Sequence, residues 1–142
     1  MLLCEKHSKW NLKNGEIILK KVIVICGPTA SGKTKLGIEV ANKIGGEIIS
    51  ADSMQIYKDM DIGSAKPTKD EREKAVHHLI DFVSPDKRYS VADFKRDASN
   101  KIERIIEENK TPIIVGGTGL YIDSLVYNIE FNEEKTDLEY RE

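Results

Sequence analysis

Phosphate binding is the chemistry that this chain indicates most directly, through one run of eight residues. The run reads Gly27-Pro28-Thr29-Ala30-Ser31-Gly32-Lys33-Thr34 and fits the pattern G-x-x-x-x-G-K-[ST]. In such a loop the backbone N–H groups surround an anion, while Lys33 adds a positive charge. Thr34 offers a hydroxyl oxygen of the kind that Mg²⁺ accepts. The run therefore predicts a site for a di- or triphosphate, with Mg²⁺ as cofactor and Thr34 as its candidate ligand.

The flanks of this run supply the structural context that a phosphate loop needs. Residues 21–26 are a short apolar run, typical of a buried parallel strand. After the loop, Leu36, Val40 and Ile44 recur at every fourth position and predict an amphipathic helix. A strand, a glycine loop and a helix in that order direct amides and the positive helix end at one anion.

A second candidate for chemistry is Asp52, which follows a predicted strand at residues 47–51. A carboxylate there can act as a general base, as a partner of Mg²⁺ or as a structural helix cap. The strand predicted at residues 112–115 ends in glycines rather than in the aspartate that ATPases usually place there to hold magnesium. The guanine-reading run Asn-Lys-x-Asp is also absent. A GTPase or a motor ATPase is therefore not favoured.

Three further groups of residues have both a functional and a structural interpretation. Gly116–Gly119 reads as a backbone nest for an anion or, equally, as a tight strand-to-helix turn. His77 and His78 suggest a metal, but neighbouring side chains on a strand point to opposite faces, which disfavours one. The loop after Asp52 contributes residues that are either surface groups or substrate contacts, namely Tyr57, Lys58 and Lys66.

The remaining pattern predicts the elements that hold these residues in place. A third strand is predicted at residues 79–83, and capping boxes predict helices that begin after Thr68 and Ser90. Strands that alternate with helices favour an α/β fold with a parallel sheet covered on both faces. Ligands of such sheets bind at the carboxyl ends of the strands, where the phosphate loop, Asp52 and Gly116–Gly119 would meet.

Composition places the chain among ordinary globular proteins. It has 142 residues, two cysteines, a formal net charge of −2 and a pI near 6.0. No apolar run is long enough to cross a bilayer, and the N-terminus becomes charged too early for a secretion signal. The expected location is the cytoplasm, with no membrane partner. The charge balance carries no global sign of nucleic-acid binding.

Four motifs in order make the chain resemble the tRNA dimethylallyltransferases, also called tRNA isopentenyltransferases. They are GPTASGKT, ISADSMQIYKDMDIGSAKPT, HHLIDFVSPDKRYSVADFKRDA and PIIVGGTGLYIDSLVY, and together they extend from about residue 21 to about residue 127. The resemblance implies an α/β core like that of the P-loop nucleoside triphosphate hydrolases. It also implies transfer of a dimethylallyl group from dimethylallyl diphosphate to the exocyclic amine of the adenosine 3′ of the tRNA anticodon.

The resemblance also implies roles for individual residues. The loop Gly27–Thr34 would hold the diphosphate of the prenyl donor, with Lys33 stabilising the leaving group. Asp52 would take the proton of the acceptor amine, and Thr118 would hydrogen-bond near the reacting groups. The segment that would contact tRNA consists of Asp52, Ser53, Met54 and Gln55. The adenosine would have to leave its stack to enter the channel.

Members of this family are about twice as long, so the resemblance divides the chain into three parts. Residues 1–20 are predicted to be an extension of unknown role, residues 21–131 a partial catalytic core, and residues 132–142 a charged tail where the main tRNA-binding portion would begin. The expectation is a portion that binds diphosphate but modifies tRNA weakly; its relatives are usually monomers, whereas exposed apolar surface would favour self-association. The alternatives are a small-molecule P-loop kinase that binds ATP and a non-catalytic module that binds phosphate or tRNA.

Overall fold

The computed structural model describes residues 2–11, 17–61 and 63–127. In chain order the elements are β1 (Leu2–Asn11), β2 (Ile17–Cys26), α1 (Lys33–Ile44), β3 (Gly46–Ser50), α2 (Lys69–Lys74), β4 (His77–His78), α3 (Val91–Glu107), β5 (Thr111–Gly116) and α4 (Gly119–Val126). The predicted charged tail at residues 132–142 lies outside the described residues.

One five-stranded sheet organises these elements, in the order β1-β2-β5-β3-β4. Strands β2, β5, β3 and β4 run parallel, whereas β1 pairs with β2 in the antiparallel sense. Strand β5 therefore lies between the strand that precedes the phosphate loop and the strand that precedes Asp52. The predicted α/β fold with a parallel sheet is confirmed.

Helices cover both faces of the sheet because the parallel strands are apolar on both sides. On one face α1 packs Ile38 and Ala41 against a cluster that includes Ile113 and Val115 of β5. On the other face α3 and α4 pack against a cluster that includes Ile114. Successive residues of β5 thus alternate between the two cores, as the period of two in a strand requires.

Helices α2 and α3 begin where the sequence predicts them. Thr68 accepts a hydrogen bond from the Glu71 amide, and the Glu71 side chain accepts one from the Thr68 amide, which completes a capping box. Ser90 begins α3 with the same arrangement. Gly45 ends α1 with a φ of 66°, a left-handed conformation that glycine adopts without a steric penalty.

The prediction of a strand at residues 79–83 is wrong. The strand is β4 at His77–His78, and the chain then leaves the sheet, with Leu79 and Asp81 at positive φ values of 62° and 53°. Only Val83 returns to a single parallel bridge, with Tyr57. The apolar residues that suggested a strand serve burial instead, since Leu79 and Val83 are both buried.

The N-terminal residues, predicted to be an extension of unknown role, contain the strand β1. Residues Leu2–Asn11 pair along the whole of β2, from Leu2 opposite Cys26 to Asn11 opposite Ile17. The predicted boundary at residue 20 consequently falls inside β2. Asn14-Gly15 is a pair typical of hairpin turns, and it lies outside the described residues. In the part of the chain that the structure describes, no helix has both the length and the apolar character needed to cross a membrane.

Candidate functional site

The phosphate loop occupies the turn between β2 and α1. Gly32 precedes α1 with a φ of 84° and carries no side chain that could cap the helix, so the first turn presents its backbone amides. The Lys33 ammonium group donates to Pro28 O across the loop at 2.5 Å. Ser31 Oγ is buried and has no hydrogen-bond partner among the described residues. The loop therefore holds a hydroxyl and a set of amides suited to an anion.

Asp52 begins a tight turn directly after β3. Its Oδ1 accepts the amide hydrogens of Met54, at 2.9 Å, and of Gln55, at 3.3 Å. This is the local hydrogen bonding by which aspartate stabilises a turn. The two bonds orient the carboxylate, and Asp52 lines the same cleft as the phosphate loop. The structural interpretation and the functional interpretation of Asp52 are thus compatible.

Thr118 joins the site through Ser53. The Thr118 hydroxyl oxygen accepts the Ser53 amide hydrogen at 3.0 Å and lies 3.4 Å from the Ser53 hydroxyl. The Thr118 amide in turn donates to Ala51 O at 3.2 Å. The end of β5 and the end of β3 are therefore connected by side-chain and backbone hydrogen bonds.

Two glycines after β5 allow these segments to approach closely. A Cβ atom at Gly116 would lie 2.2 Å from Ala51 O, and one at Gly117 would lie 3.1 Å from Gly27 O and 4.0 Å from Lys33 Nζ. A side chain at either position would push apart the segments that form the site. Gly116 and Gly117 thus have a structural reason in the packing of three loops.

The three segments surround a cleft with a volume of about 250 Å³. Most of the predicted phosphate loop lines it, together with Asp52, Gln55 and Gly116. Two charged residues that were not predicted, Lys35 and Glu71, also line it. Met54, which is 46% exposed, is not among the residues that line this cleft. The complete set of lining residues is Thr29, Ala30, Ser31, Gly32, Lys33, Thr34, Lys35, Asp52, Gln55, Ala65, Glu71, Val115 and Gly116.

Gln55 connects the cleft to the rest of the loop that follows β3. Its side-chain nitrogen, Nε2, donates to Ser64 O at 3.3 Å and to Ala65 O at 3.0 Å, while its side-chain oxygen, Oε1, accepts from Ser50 Oγ at 3.0 Å. Ala65 lines the cleft as well. Gln55 therefore holds the far end of the loop against the end of β3.

An ion cluster around Lys66 is the main feature of this region that the sequence did not indicate. Lys66, interpreted as a surface residue or a substrate contact, has a side chain only 4% exposed and pairs with Asp61 and Asp81. Burial acts to lower the pKa of Lys66, but the hydrogen bonds to Asp81 and Asp61 outweigh it and raise that pKa. Burial acts to raise the pKa of Asp81, and the bonds from Lys66 and Arg72 outweigh it and lower that pKa. Lys66 and Asp81 are 15 residues apart and follow no local motif spacing, so motif analysis does not reveal the pair.

The two histidines form β4 at the edge of the sheet and make separate contacts. His77 Nδ1 lies 2.8 Å from Ala75 O, and His78 Nε2 lies 2.6 Å from a carboxylate oxygen of Glu47. Lys110 holds the other oxygen of Glu47 at 2.5 Å. Burial acts to raise the pKa of Glu47, but the hydrogen bonds from Lys110 and His78 outweigh it and lower that pKa. His78 and His77 therefore contact different partners, Glu47 and Ala75, rather than converging on one position.

The oxygen donors of the cleft fit one mode of magnesium binding. Over the described residues, no group of three or more histidine, cysteine, aspartate or glutamate side chains could hold a metal ion. Mg²⁺ is often held by one or two protein oxygens, with phosphate and water oxygens as the remaining ligands. Thr34 and Asp52 line the same cleft and supply oxygens of this kind. A diphosphate in the loop would bring the others.

Comparison with known proteins gives a consistent result. The family model described as IPP transferase matches residues 55–142. A curated tRNA dimethylallyltransferase of Acetivibrio thermocellus is 58% identical over 123 residues, which are 87% of this chain and 39% of that protein. A crystal structure of a tRNA isopentenylpyrophosphate transferase from Bacillus halodurans matches with a TM-score of 0.75 and 44% identity, over 82% of this chain and 39% of that one.

A third match is a eukaryotic dimethylallyltransferase whose crystal structures show it acting on tRNA. It has a TM-score of 0.69 and 42% identity over 72% of this chain and 25% of that one. The chain thus spans about two fifths of the length of the curated relative that it matches.

Proposed function

This chain belongs to the IPP transferase family, and from that premise we propose that it carries the diphosphate site and the catalytic carboxylate of a tRNA dimethylallyltransferase. The reaction would move a dimethylallyl group from dimethylallyl diphosphate to the exocyclic amine of the adenosine 3′ of the tRNA anticodon. The observation that carries the proposal is the position of Asp52. Its carboxylate is oriented by two backbone amides and lines the same cleft as the phosphate loop.

The phosphate loop would bind the leaving group of the donor. As the allylic C–O bond breaks, its electron pair goes to the diphosphate, and negative charge grows there. The amides at the start of α1, the Ser31 hydroxyl and the Lys33 ammonium group would stabilise that charge. Magnesium bound at the Thr34 hydroxyl would supply further neutralisation of the diphosphate.

Asp52 would act on the acceptor. The amine nitrogen of adenosine is a weak nucleophile because its lone pair is delocalised into the ring. As nitrogen forms its bond to the allylic carbon, one of its protons would pass to the Asp52 carboxylate. The turn that contains Ser53, Met54 and Gln55 would contact tRNA, and the Ser53–Thr118 hydrogen bond would hold this turn beside the reacting groups.

Binding experiments separate this function from its alternatives. With Mg²⁺ present, dimethylallyl diphosphate should raise the thermal midpoint of the chain, because a ligand that binds only the folded state stabilises it. Stabilisation by ATP alone, with turnover of a hydroxylated small molecule, would support a kinase and contradict the proposal. Transfer should then be measured with radiolabelled dimethylallyl diphosphate and a tRNA that carries adenosine 3′ of the anticodon.

A further inference from the structure

The β3–α2 connection, residues 51–61 and 63–68, is held by a lysine that has very little access to solvent. The Lys66 ammonium group donates to Tyr57 O at 2.7 Å, to Asp61 Oδ1 at 2.9 Å and to the Asp81 carboxylate. The side chain of Lys66 is 4% exposed and that of Asp81 is 29% exposed, whereas that of Asp61 is 75% exposed. Asp81 is consequently the partner least screened by solvent.

Asp81 contacts both ends of this connection. Its amide donates to Gln55 O at 3.0 Å, in the turn that follows Asp52. Its carboxylate accepts from Lys66 and, at 2.6 Å, from Arg72 Nη1. Arg72 Nε also donates to Pro67 O at 3.1 Å. One aspartate therefore joins the start of the connection to its end.

The same region forms one wall of the cleft without placing Lys66 or Asp81 among its lining residues. Ala65, next to Lys66, lines the cleft, and the Gln55 side chain donates to Ala65 O. Gln55 also donates its amide hydrogen to Asp52 Oδ1. A continuous set of hydrogen bonds thus leads from the Lys66–Asp81 pair through Gln55 to the carboxylate of Asp52.

We propose that Lys66 and Asp81 are positioning residues, whose ion pair holds the Asp52–Gln55 turn in place against the phosphate loop. They act on Asp52 through Gln55 and do not contact the substrate. For the effect on prenyl transfer, the inference rests on the proposed function. Loss of the pair should slow transfer while leaving the diphosphate site intact, because the phosphate loop is held by β2 and α1.

A partly buried ion pair needs a particular set of variants. Removal of one partner leaves an uncompensated charge and destabilises the fold, whereas removal of both partners relieves that penalty. The set is therefore Lys66→Met, Asp81→Asn and the double variant. Asparagine suits position 81 because it tolerates the positive φ found there. Lys110→Met is the control, since Lys110 also pairs with a buried carboxylate, that of Glu47, outside the connection.

Amide hydrogen exchange at Met54 and Gln55 reports directly on the turn, because both amides donate to Asp52 Oδ1. We expect exchange at these two amides to be at least tenfold faster in all three variants than in the parent chain. In the double variant, core amides such as those of Ile25 and Ile114 should exchange at the parental rate. Lys110→Met should leave Met54 and Gln55 unchanged. The inference would be overturned if, in the double variant, the amides of Met54 and Gln55 exchanged at the parental rate, as the core amides do.

Transfer and binding provide the second measurement. The Kd for dimethylallyl diphosphate with Mg²⁺ should change less than twofold in the double variant, while kcat for transfer to tRNA falls at least tenfold. A double variant that transfers as fast as the parent contradicts the positioning role. A parent chain whose thermal midpoint does not rise with dimethylallyl diphosphate and Mg²⁺, yet shows the expected exchange pattern, contradicts the proposed function and leaves the positioning role supported.

Discussion

Asp52 shows how one side chain can meet a structural need and offer a catalytic group at once. Its Oδ1 accepts two backbone amide hydrogens and so forms the turn after β3. A carboxylate has a second oxygen, and each oxygen has two lone pairs, so the turn does not use all of its capacity to accept. The remaining capacity is what a general base in this cleft would use.

Replacement of Asp52 by asparagine tests this dual role. An asparagine at this position would still accept hydrogen bonds through its amide oxygen, so the turn should persist, but it could not take a proton. We expect Asp52→Asn to lower kcat for transfer at least about 100-fold, as is usual for loss of a general base, with the Kd for dimethylallyl diphosphate changed less than about twofold. Asp59→Asn, at an exposed position with a φ of 58°, is the matched control and should transfer at the parental rate. Equal losses in the two variants would argue against a specific role for Asp52.

His77 should make folding stability depend on pH. Burial lowers the pKa of His77 from its ordinary value of 6.5, and the hydrogen bond to Ala75 O only partly opposes this effect. The unfolded chain therefore binds this proton more readily than the folded chain does. The stability from neutral His77 is complete above pH 6.5 and is lost as pH falls toward the lower folded-state pKa.

We expect the free energy of unfolding, measured by urea denaturation, to decrease between about pH 7 and pH 5, and His77→Asn to remove part of that decrease. For each protein, the quantity to compare is the difference between the free energies of unfolding at about pH 8 and at about pH 5. The carboxylates of Glu47 and Asp81, whose pKa values are lowered, change the free energy of unfolding only below this pH range. Identical slopes for the two proteins would contradict the assignment to His77.

At the scale of elements, the site depends on the close approach of two strand ends. Strands β3 and β5 pair in parallel from Gly46 opposite Thr111 to Ser50 opposite Val115. Beyond this ladder, Ala51 and Thr118 continue the contact through backbone hydrogen bonds. Gly116 makes that continuation possible because the backbone of Ala51 occupies the space where a Cβ atom would lie.

Two glycine-to-alanine substitutions distinguish the effect of the close contact at Gly116 from the general effect of replacing a glycine. Gly116→Ala would place a methyl group 2.2 Å from Ala51 O, so we expect the free energy of unfolding to fall by about 3 kcal/mol, the upper end of the usual cost of overpacking. Gly119→Ala is the control, because a Cβ at Gly119 meets no atom within 4 Å and alanine favours a helix. Its stability should stay within about 0.5 kcal/mol of the parent. Urea denaturation measures both, and comparable losses would mean that the close contact is not what matters.

At the scale of the whole molecule, the antiparallel strand β1 forms one edge of the sheet, so that β2 is an inner strand. Strand β2 carries the phosphate loop at its carboxyl end, and β1 pairs with all ten of its residues. Without β1, the backbone N–H and C=O groups along that side of β2 would face solvent. Exposed edges of this kind pair with other chains.

Removal of residues 1–11 should therefore affect stability and association together. We expect the thermal midpoint to fall by at least about 5 °C, since a ladder of this length contributes on the order of 1 to 2 kcal/mol or more. Size-exclusion chromatography should show more self-association than the parent chain shows at the same concentration. A shortened chain with the same thermal midpoint and elution volume would show that β1 adds nothing to the sheet.

The local features of this protein were determined by sequence alone, because they depend on residues close together in the chain. The phosphate loop, the capping boxes at Thr68 and Ser90, and the helix end at Gly45 each follow from local hydrogen bonding and backbone preference. The alternation of apolar strands with amphipathic helices predicted the α/β fold, and four ordered motifs indicated the IPP transferase family, whose model matches residues 55–142.

Only the tertiary structure decided what depends on contacts between distant residues. The apolar residues 79–83 predicted a strand, because hydrophobicity can be seen in a sequence but the hydrogen-bond partners of the backbone cannot. In the structure the chain leaves the sheet after His78, and Asp81 forms ion pairs with Lys66 and Arg72. The antiparallel pairing of β1, the Glu47 cluster and the Ser53–Thr118 bond likewise join separate segments. Such pairs form because folding brings separate segments together where solvent is partly excluded, and an unpaired charge or polar group there would be costly.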